Sequence, residues 1–63
     1  MEPGRIVGGR VVRRILIVDD EKPICDLIDL NLSAAGYQCR AVQDGLSAVG
    51  LLEKEAFDLV LLD

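Results

Sequence analysis

The sequence contains no histidine and no tryptophan. Without histidine, Ser-His-Asp and Cys-His nucleophile systems and His-ligated zinc are excluded within this chain, and so is a role as phosphohistidine donor. Aromatics are scarce as well. Tyr37 and Phe57 stand alone, so the core is expected to be aliphatic and a surface that stacks nucleic-acid bases is not expected. No apolar run is longer than four residues, far below the ~18 needed to cross a bilayer or the ~7 to 15 of a signal-peptide core. The chain therefore reads as cytoplasmic, with no membrane partner. Cys25 falls in an expected helix and Cys39 in an expected strand, and both are expected as reduced core thiols rather than a disulfide.

What is present is a short, aliphatic, acidic chain. Its 63 residues are 51% hydrophobic, which fits one globular unit rather than a disordered segment. A unit of this size buries only about 60% of the surface its unfolded chain exposes, so stability is expected to be marginal. Charge is divided unevenly. Residues 1–14 carry four Arg against Glu2, a net of +3, and residues 15–63 carry ten acids against Lys22, Arg40 and Lys54, a net of −7. Pro3, Gly4, Gly8 and Gly9 sit in the basic part, so residues 1–13 read as a flexible basic arm. Four arginines without an organising helix attract phosphates only weakly, and direct nucleic-acid binding by this segment is not expected.

Beyond the arm, periodicity alternates. Residues 15–18, 37–42 and 57–62 read as strands. Pro23 stands where the first turn of a helix tolerates a missing N–H, and Gly36 stands where a helix commonly stops, which delimits a first helix over roughly residues 23–35. At ~100° per residue, Asp26, Asp29 and Ser33 share one side of it, while Ile24, Leu27, Ile28, Leu30, Leu32 and Ala35 form a broad apolar arc. That arc is wider than one sheet contact needs and implies a second packing neighbour. Asp44-Gly45 reads as a turn whose aspartate caps a second helix over roughly residues 45–56, with Ala48, Val49, Leu52 and Ala56 on its apolar face. Strand, helix, strand, helix, strand with short connections implies an α/β fold with right-handed crossovers and a parallel sheet.

Two of the strands end in acid. Ile15-Leu16-Ile17-Val18 runs into Asp19-Asp20, and Leu59-Val60-Leu61-Leu62 runs into Asp63. Ligands of open α/β sheets bind beyond the carboxyl ends of the strands. If these strands are neighbours, three carboxylates meet at one edge, where unit charges ~4 Å apart repel by about 1 kcal/mol in water and by more as the site dries. A cation relieves that repulsion, and hard oxygen ligands with open positions suit Mg²⁺. Asp19 and Asp20 also have a purely structural alternative, as caps of the first helix. Glu21 and Lys22 read as solvated loop charges, and Asp58 as the start of the third strand on the face away from the site.

Asp19-Asp20, Pro23, Gly36-Tyr37, Asp44-Gly45 and Asp58-Leu59-Val60-Leu61-Leu62-Asp63 together resemble the receiver domain of bacterial two-component response regulators, from residue 14 to residue 63. The resemblance implies a flavodoxin-like parallel sheet, truncated to β-α-β-α-β, with strand order 2-1-3. It implies that Asp63 is the phosphoacceptor and that Asp19 and Asp20 hold Mg²⁺ together with Asp63, Asp20 more directly and Asp19 more through water. It also implies a sensor histidine kinase as phosphoryl donor, and a module that accepts the group without being an enzyme. The later strands, with their switch Ser or Thr and their Lys, have no counterpart before Asp63. On that basis the chain reads as the first half of such a domain, phosphorylated slowly or not at all, and self-associating through its third strand and first helix. Two other readings stand beside it. One is an inert or interaction-only fragment without phosphotransfer. The other is an aspartate-nucleophile phosphohydrolase of the haloacid dehalogenase type, for which Asp19-Asp20-Glu21 lacks the Asp-x-Asp spacing.

Overall fold

The computed structural model describes residues 5–62. Its elements are β1 (Arg5–Val7), β2 (Arg10–Val12), β3 (Arg14–Val18), α1 (Lys22–Ala34), β4 (Gln38–Val42), α2 (Gly45–Lys54) and β5 (Leu59–Leu62). β3 is the centre of the fold because, among the described residues, it alone has a strand on each side. It pairs in parallel with β4, Ile15 beside Cys39 and Val18 beside Val42, and in parallel with β5, Ile15 beside Leu59 and Val18 beside Leu62. The order β4-β3-β5 is the expected 2-1-3 arrangement of a flavodoxin-like sheet, with β3, β4 and β5 as its strands one, two and three.

The crossover β3–α1–β4 and the return crossover β4–α2–β5 run in opposite directions across the sheet, and right-handed crossovers of opposite direction place their helices on opposite faces. Side chains alternate across a strand, so β3 feeds both layers. Ile15 and Ile17 pack under α1 with Cys25, Ile28 and Leu32. Leu16 and Val18 pack under α2 with Ala48, Leu51 and Phe57. Every residue of β3 is buried, and full burial of each such aliphatic side chain contributes about 1.5 to 3 kcal/mol.

Local signals set the helix ends. Pro23 occupies the first turn of α1. At the other end Gly36, with φ 99°, reverses the chain. Its N–H donates to the Ser33 carbonyl and the Tyr37 N–H donates to the Leu32 carbonyl, the pair of bonds of a Schellman ending, which requires a left-handed residue that glycine supplies without strain. Asp44 caps α2 as expected: its carboxylate accepts from the Ser47 N–H at 2.7 Å and the Ser47 hydroxyl at 3.0 Å.

The structure departs from the sequence expectations in three places. The segment read as a featureless arm carries a hairpin: β1 pairs antiparallel with β2, Ile6 facing Val11 and Val7 facing Arg10. Gly8 and Gly9 form its two-residue turn with φ 57° and 81°, and positive φ at both central residues matches the turn to the twist of the strands. Next, α2 stops at Lys54, earlier than expected, and β5 starts at Leu59, later and shorter than expected. The Ala56 carbonyl accepts from Arg14 Nη1 at 2.9 Å instead of continuing the helix, and the Asp58 N–H donates to the Arg14 carbonyl at 2.8 Å before the β5 ladder begins. Finally, α2 turns Ala48 and Leu51 to the sheet and leaves Val49 and Leu52 exposed. Of the broad arc of α1 only Ile28 and Leu32 pack inward, beside Cys25, while Ile24, Leu27, Leu30 and Ala35 are exposed.

Candidate functional site at the carboxyl edge of the sheet

The edge where β3 ends is built by Asp19 and Asp20. Asp19 is 5% exposed, and each polar part of it that the fold buries is engaged. Its N–H donates to the Val42 carbonyl at 3.1 Å, which continues the β3–β4 ladder one step past the strand. Its carbonyl accepts from the Cys25 thiol at 3.3 Å, and its carboxylate Oδ1 accepts from the Glu21 N–H at 2.9 Å. Asp20 is exposed. The two acids thus differ in kind: one is oriented inside the fold, the other projects into solvent beside it.

Neither is the cap of α1. The capping position is Glu21, which makes no side-chain cap bond, and its carbonyl accepts from the Ile24 and Cys25 N–H groups. The alternative in which Asp19 and Asp20 serve only as caps therefore loses its geometric basis, although the Asp19 carboxylate does steady the loop through the Glu21 N–H. Glu21 is exposed, and Lys22 forms an exposed pair with Asp26 at 3.0 Å. Beside Asp19, a shallow depression runs between α1 and the ends of β3 and β5, lined by Val18, Glu21, Ile24, Ile28, Leu61 and Leu62. β5 ends at Leu62, paired with Val18. Asp63, the third carboxylate of the expected cluster, follows Leu62 in the sequence and lies outside the described residues. Among the described residues no group of three or more Cys, Asp or Glu side chains is gathered closely enough to hold a metal ion.

The chemistry of the pair fits a hard cation. Carboxylate oxygens with water-filled open positions suit Mg²⁺, which takes one or two carboxylates and dehydrates reluctantly. Cys25 adds no soft ligand to this edge. Burial pushes its thiol pKa up, and the Asp19 and Asp26 carboxylates push it further, so the thiol stays protonated and acts as a donor to the Asp19 carbonyl. Both cysteines are free, Cys25 buried and Cys39 half-buried.

The opposite end of the sheet holds an arrangement that the sequence did not disclose. Arg14 directly follows the basic arm of residues 1–13, yet it is only 9% exposed. Its guanidinium bonds Glu55 and the Ala56 carbonyl and lies 4.8 Å from the centre of the Phe57 ring. Arg40 reaches the other oxygen of Glu55 at 2.9 Å. Asp58 accepts from the Arg14 N–H at 2.7 Å and pairs with Arg13 at 3.5 Å. Asp58, expected within the start of the third strand on the far face, instead precedes β5 at the amino end of the strands, where it anchors the chain as β3 begins. These partners lie more than forty residues apart in sequence for Arg14, and no local spacing signals them.

No solved structure matches the chain significantly. A family description does match: residues 15–63 correspond to the response regulator receiver domain. That span begins at the first buried apolar residue of β3 and takes in the acid pair, both helices and Asp63, leaving out residues 1–14. The strand order, the carboxyl-edge acids and this match agree, and the chain belongs to the response regulator receiver domain family, the phosphoacceptor modules of two-component signalling.

Proposed function

We propose that the chain accepts a phosphoryl group on Asp63 from a sensor histidine kinase in the cytoplasm, with Asp19 and Asp20 holding Mg²⁺ next to the acceptor. The observation that carries this reading is the oriented, buried Asp19 beside the exposed Asp20, at the carboxyl end of the central strand of a chain that belongs to the receiver family. A carboxylate oxygen of Asp63 attacks phosphorus in line, an O–P bond to Asp63 forms, and the bond to the departing group breaks with its electron pair leaving on that group. When bound, Mg²⁺ neutralises charge spread over the phosphoryl oxygens. The Glu21 N–H keeps one Asp19 oxygen fixed, so that carboxylate, unlike the exposed Asp20, does not have to be ordered when a cation arrives. The module is a stoichiometric acceptor rather than an enzyme.

Intact-mass measurement after incubation with a small acyl phosphate and Mg²⁺ tests the reading. One phosphoryl group is expected on the wild-type chain, slowly, with less on Asp20→Asn and none on Asp63→Asn. Equal labelling of wild type and Asp63→Asn would remove Asp63 as acceptor. No labelling of any form would favour the interaction-only reading, which the solvent-facing Leu27 and Leu30 of α1 and Leu59 and Leu62 of β5 support.

A further inference from the structure

Asp20 is exposed, so the direction in which it presents its carboxylate is set by the two peptide units that flank it. Each unit is planar, and a bond to its N–H or its oxygen restrains the whole plane. The unit that follows Asp20 is restrained through the Glu21 N–H, which donates to Asp19 Oδ1 at 2.9 Å. The unit that joins the two aspartates is restrained through its oxygen, because the Asp19 carbonyl accepts from Cys25 Sγ at 3.3 Å. Cys25 also donates its own N–H to the Glu21 carbonyl at 3.1 Å. The three bonds close a ring, from Asp19 to Glu21, from Glu21 to Cys25, and from Cys25 back to Asp19.

Cys25 can act as the tie because it is itself held. It lies near the start of α1, is 2% exposed, and packs with Ile15 and Ile17 of β3. A thiol suits that place: its sulfur fills apolar space as a small hydrophobe while its S–H still donates, and alanine or valine would do only the first. Without the thiol, the carbonyl of Asp19, a residue 5% exposed, loses this partner and the plane between the two acids is free to turn. We propose that Cys25 is a positioning residue, whose thiol holds the Asp19–Asp20 peptide and thereby fixes the direction in which Asp20 stands beside Asp19 to meet a hard cation. The consequence for the cation rests on the reading that the pair holds Mg²⁺. The hold on the peptide does not.

Full-length wild type, Cys25→Ala, Cys25→Ser and Cys39→Ala are compared by NMR, first without metal and then through titration with Mg²⁺. Cys39→Ala is the control: it makes the same deletion in the same core layer, at the other end of the strands, where Cys39 stands beside Ile15. Without metal, exchange of the Glu21 amide is expected to quicken on the order of 5-fold in Cys25→Ala, the effect of one lost hydrogen bond. Cys25→Ser, which keeps a donor, and Cys39→Ala are expected to stay near the wild type. With Mg²⁺, Cys25→Ala is expected to bind about 10-fold more weakly, the low end for loss of a group that orients a ligand, and Cys25→Ser to restore the affinity. Should Cys25→Ala not fold, Cys25→Val refills the space without a donor and takes its place. Glu21 exchange that is unchanged in the donor-free variant, or quickened equally by Cys25→Ser or Cys39→Ala, would overturn the proposal. Wild-type Mg²⁺ affinity in the donor-free variant would overturn it too. If wild type and Asp20→Asn respond to Mg²⁺ alike, the cation reading is what fails, and the metal-free exchange rates decide whether Cys25 holds the peptide.

Discussion

β3 and β5 carry almost the same message in sequence, four aliphatic residues followed by aspartate, and yet they live in different environments. Leu16 of β3 is wholly buried, whereas Leu62 of β5 is 77% exposed. Both strands are parallel and both are hydrogen-bonded to a neighbour. The difference is the number of neighbours. β3 has β4 on one side, β5 on the other, and a helix over each face. Among the described residues β5 has β3 on one side only. An apolar run therefore licenses a strand, but burial is decided by what the topology brings alongside, and that is a property of the whole sheet rather than of the run.

The sharpest way to break the comparison is to shorten one leucine in each strand. Leu16→Ala removes a side chain enclosed between β4, β5 and α2 and is expected to cost about 2 to 5 kcal/mol, which for a chain this small exceeds or consumes its stability. Leu62→Ala removes a side chain that is already in water and is expected to change stability by less than about 0.5 kcal/mol. Urea denaturation followed by circular dichroism compares the two. Similar midpoints for the two variants would show that β5 is as enclosed in solution as β3, by association or by rearrangement.

A second contrast lies between the two ends of the sheet. At the carboxyl edge, Lys22 and Asp26 form an exposed pair one turn apart, and such pairs contribute about 0 to 1 kcal/mol. At the amino end, Glu55 joins Arg14 and Arg40, with Arg14 buried and Glu55 three-quarters enclosed. Arg14 Nε finds no acceptor among the described residues, so the guanidinium depends on the partners it has. Glu55→Gln leaves two guanidinium groups facing a neutral amide and is expected to cost about 1 to 3 kcal/mol, below the 3 to 5 typical of a fully buried pair because Glu55 keeps some solvent. Lys22→Gln is expected to cost a few tenths of a kcal/mol at most. Thermal unfolding of both variants decides it. A Glu55→Gln chain as stable as wild type would mean that the clasp merely decorates the end of α2.

These contrasts also mark what was legible in the sequence. The three sheet strands, both helices, the Asp44 cap and the glycine ending of α1 were readable because each follows from a local signal within a few residues. The acid pair at the end of β3 was readable for the same reason. The hairpin had a local signal too, Gly8-Gly9 between Ile6-Val7 and Val11-Val12, but glycine and positive charge were read as flexibility instead of as a two-residue turn. Which part of α2 meets the sheet was not readable. Leu51 and Leu52 differ by ~100° around the helix, and only the approach angle of the sheet chooses between them. The Arg14 clasp was hidden because it is wholly non-local. A buried arginine next to a basic segment looks the same in sequence as one more charge of that segment.

The smallest effect concerns Asp44 at the start of α2, whose carboxylate, like those of Asp19 at the end of β3 and Asp58 at the amino end of the sheet, accepts a backbone N–H. The Ser47 N–H and hydroxyl hold the Asp44 carboxyl below its ordinary value, because hydrogen bonds to the charged form favour it. A depressed folded value means the ionised carboxylate stabilises the native helix start. That contribution is fully present above the unfolded value of about 3.9 and is lost as pH falls through the lower, folded one. The group is solvent-exposed, so the loss is expected to fray the first turn of α2 without unfolding the sheet. The Ser47 amide shift, followed through acid titration, should move with a midpoint below the ordinary aspartate range, while amides of β3 stay in place until lower pH. Asp44→Asn keeps an acceptor for the cap and removes the titration, so its Ser47 amide should be flat over the same interval. A wild-type midpoint at or above the ordinary value would show that the Asp44 carboxylate gains nothing from Ser47 in solution, and that the start of α2 is held by packing of Ala48 and Leu51 alone.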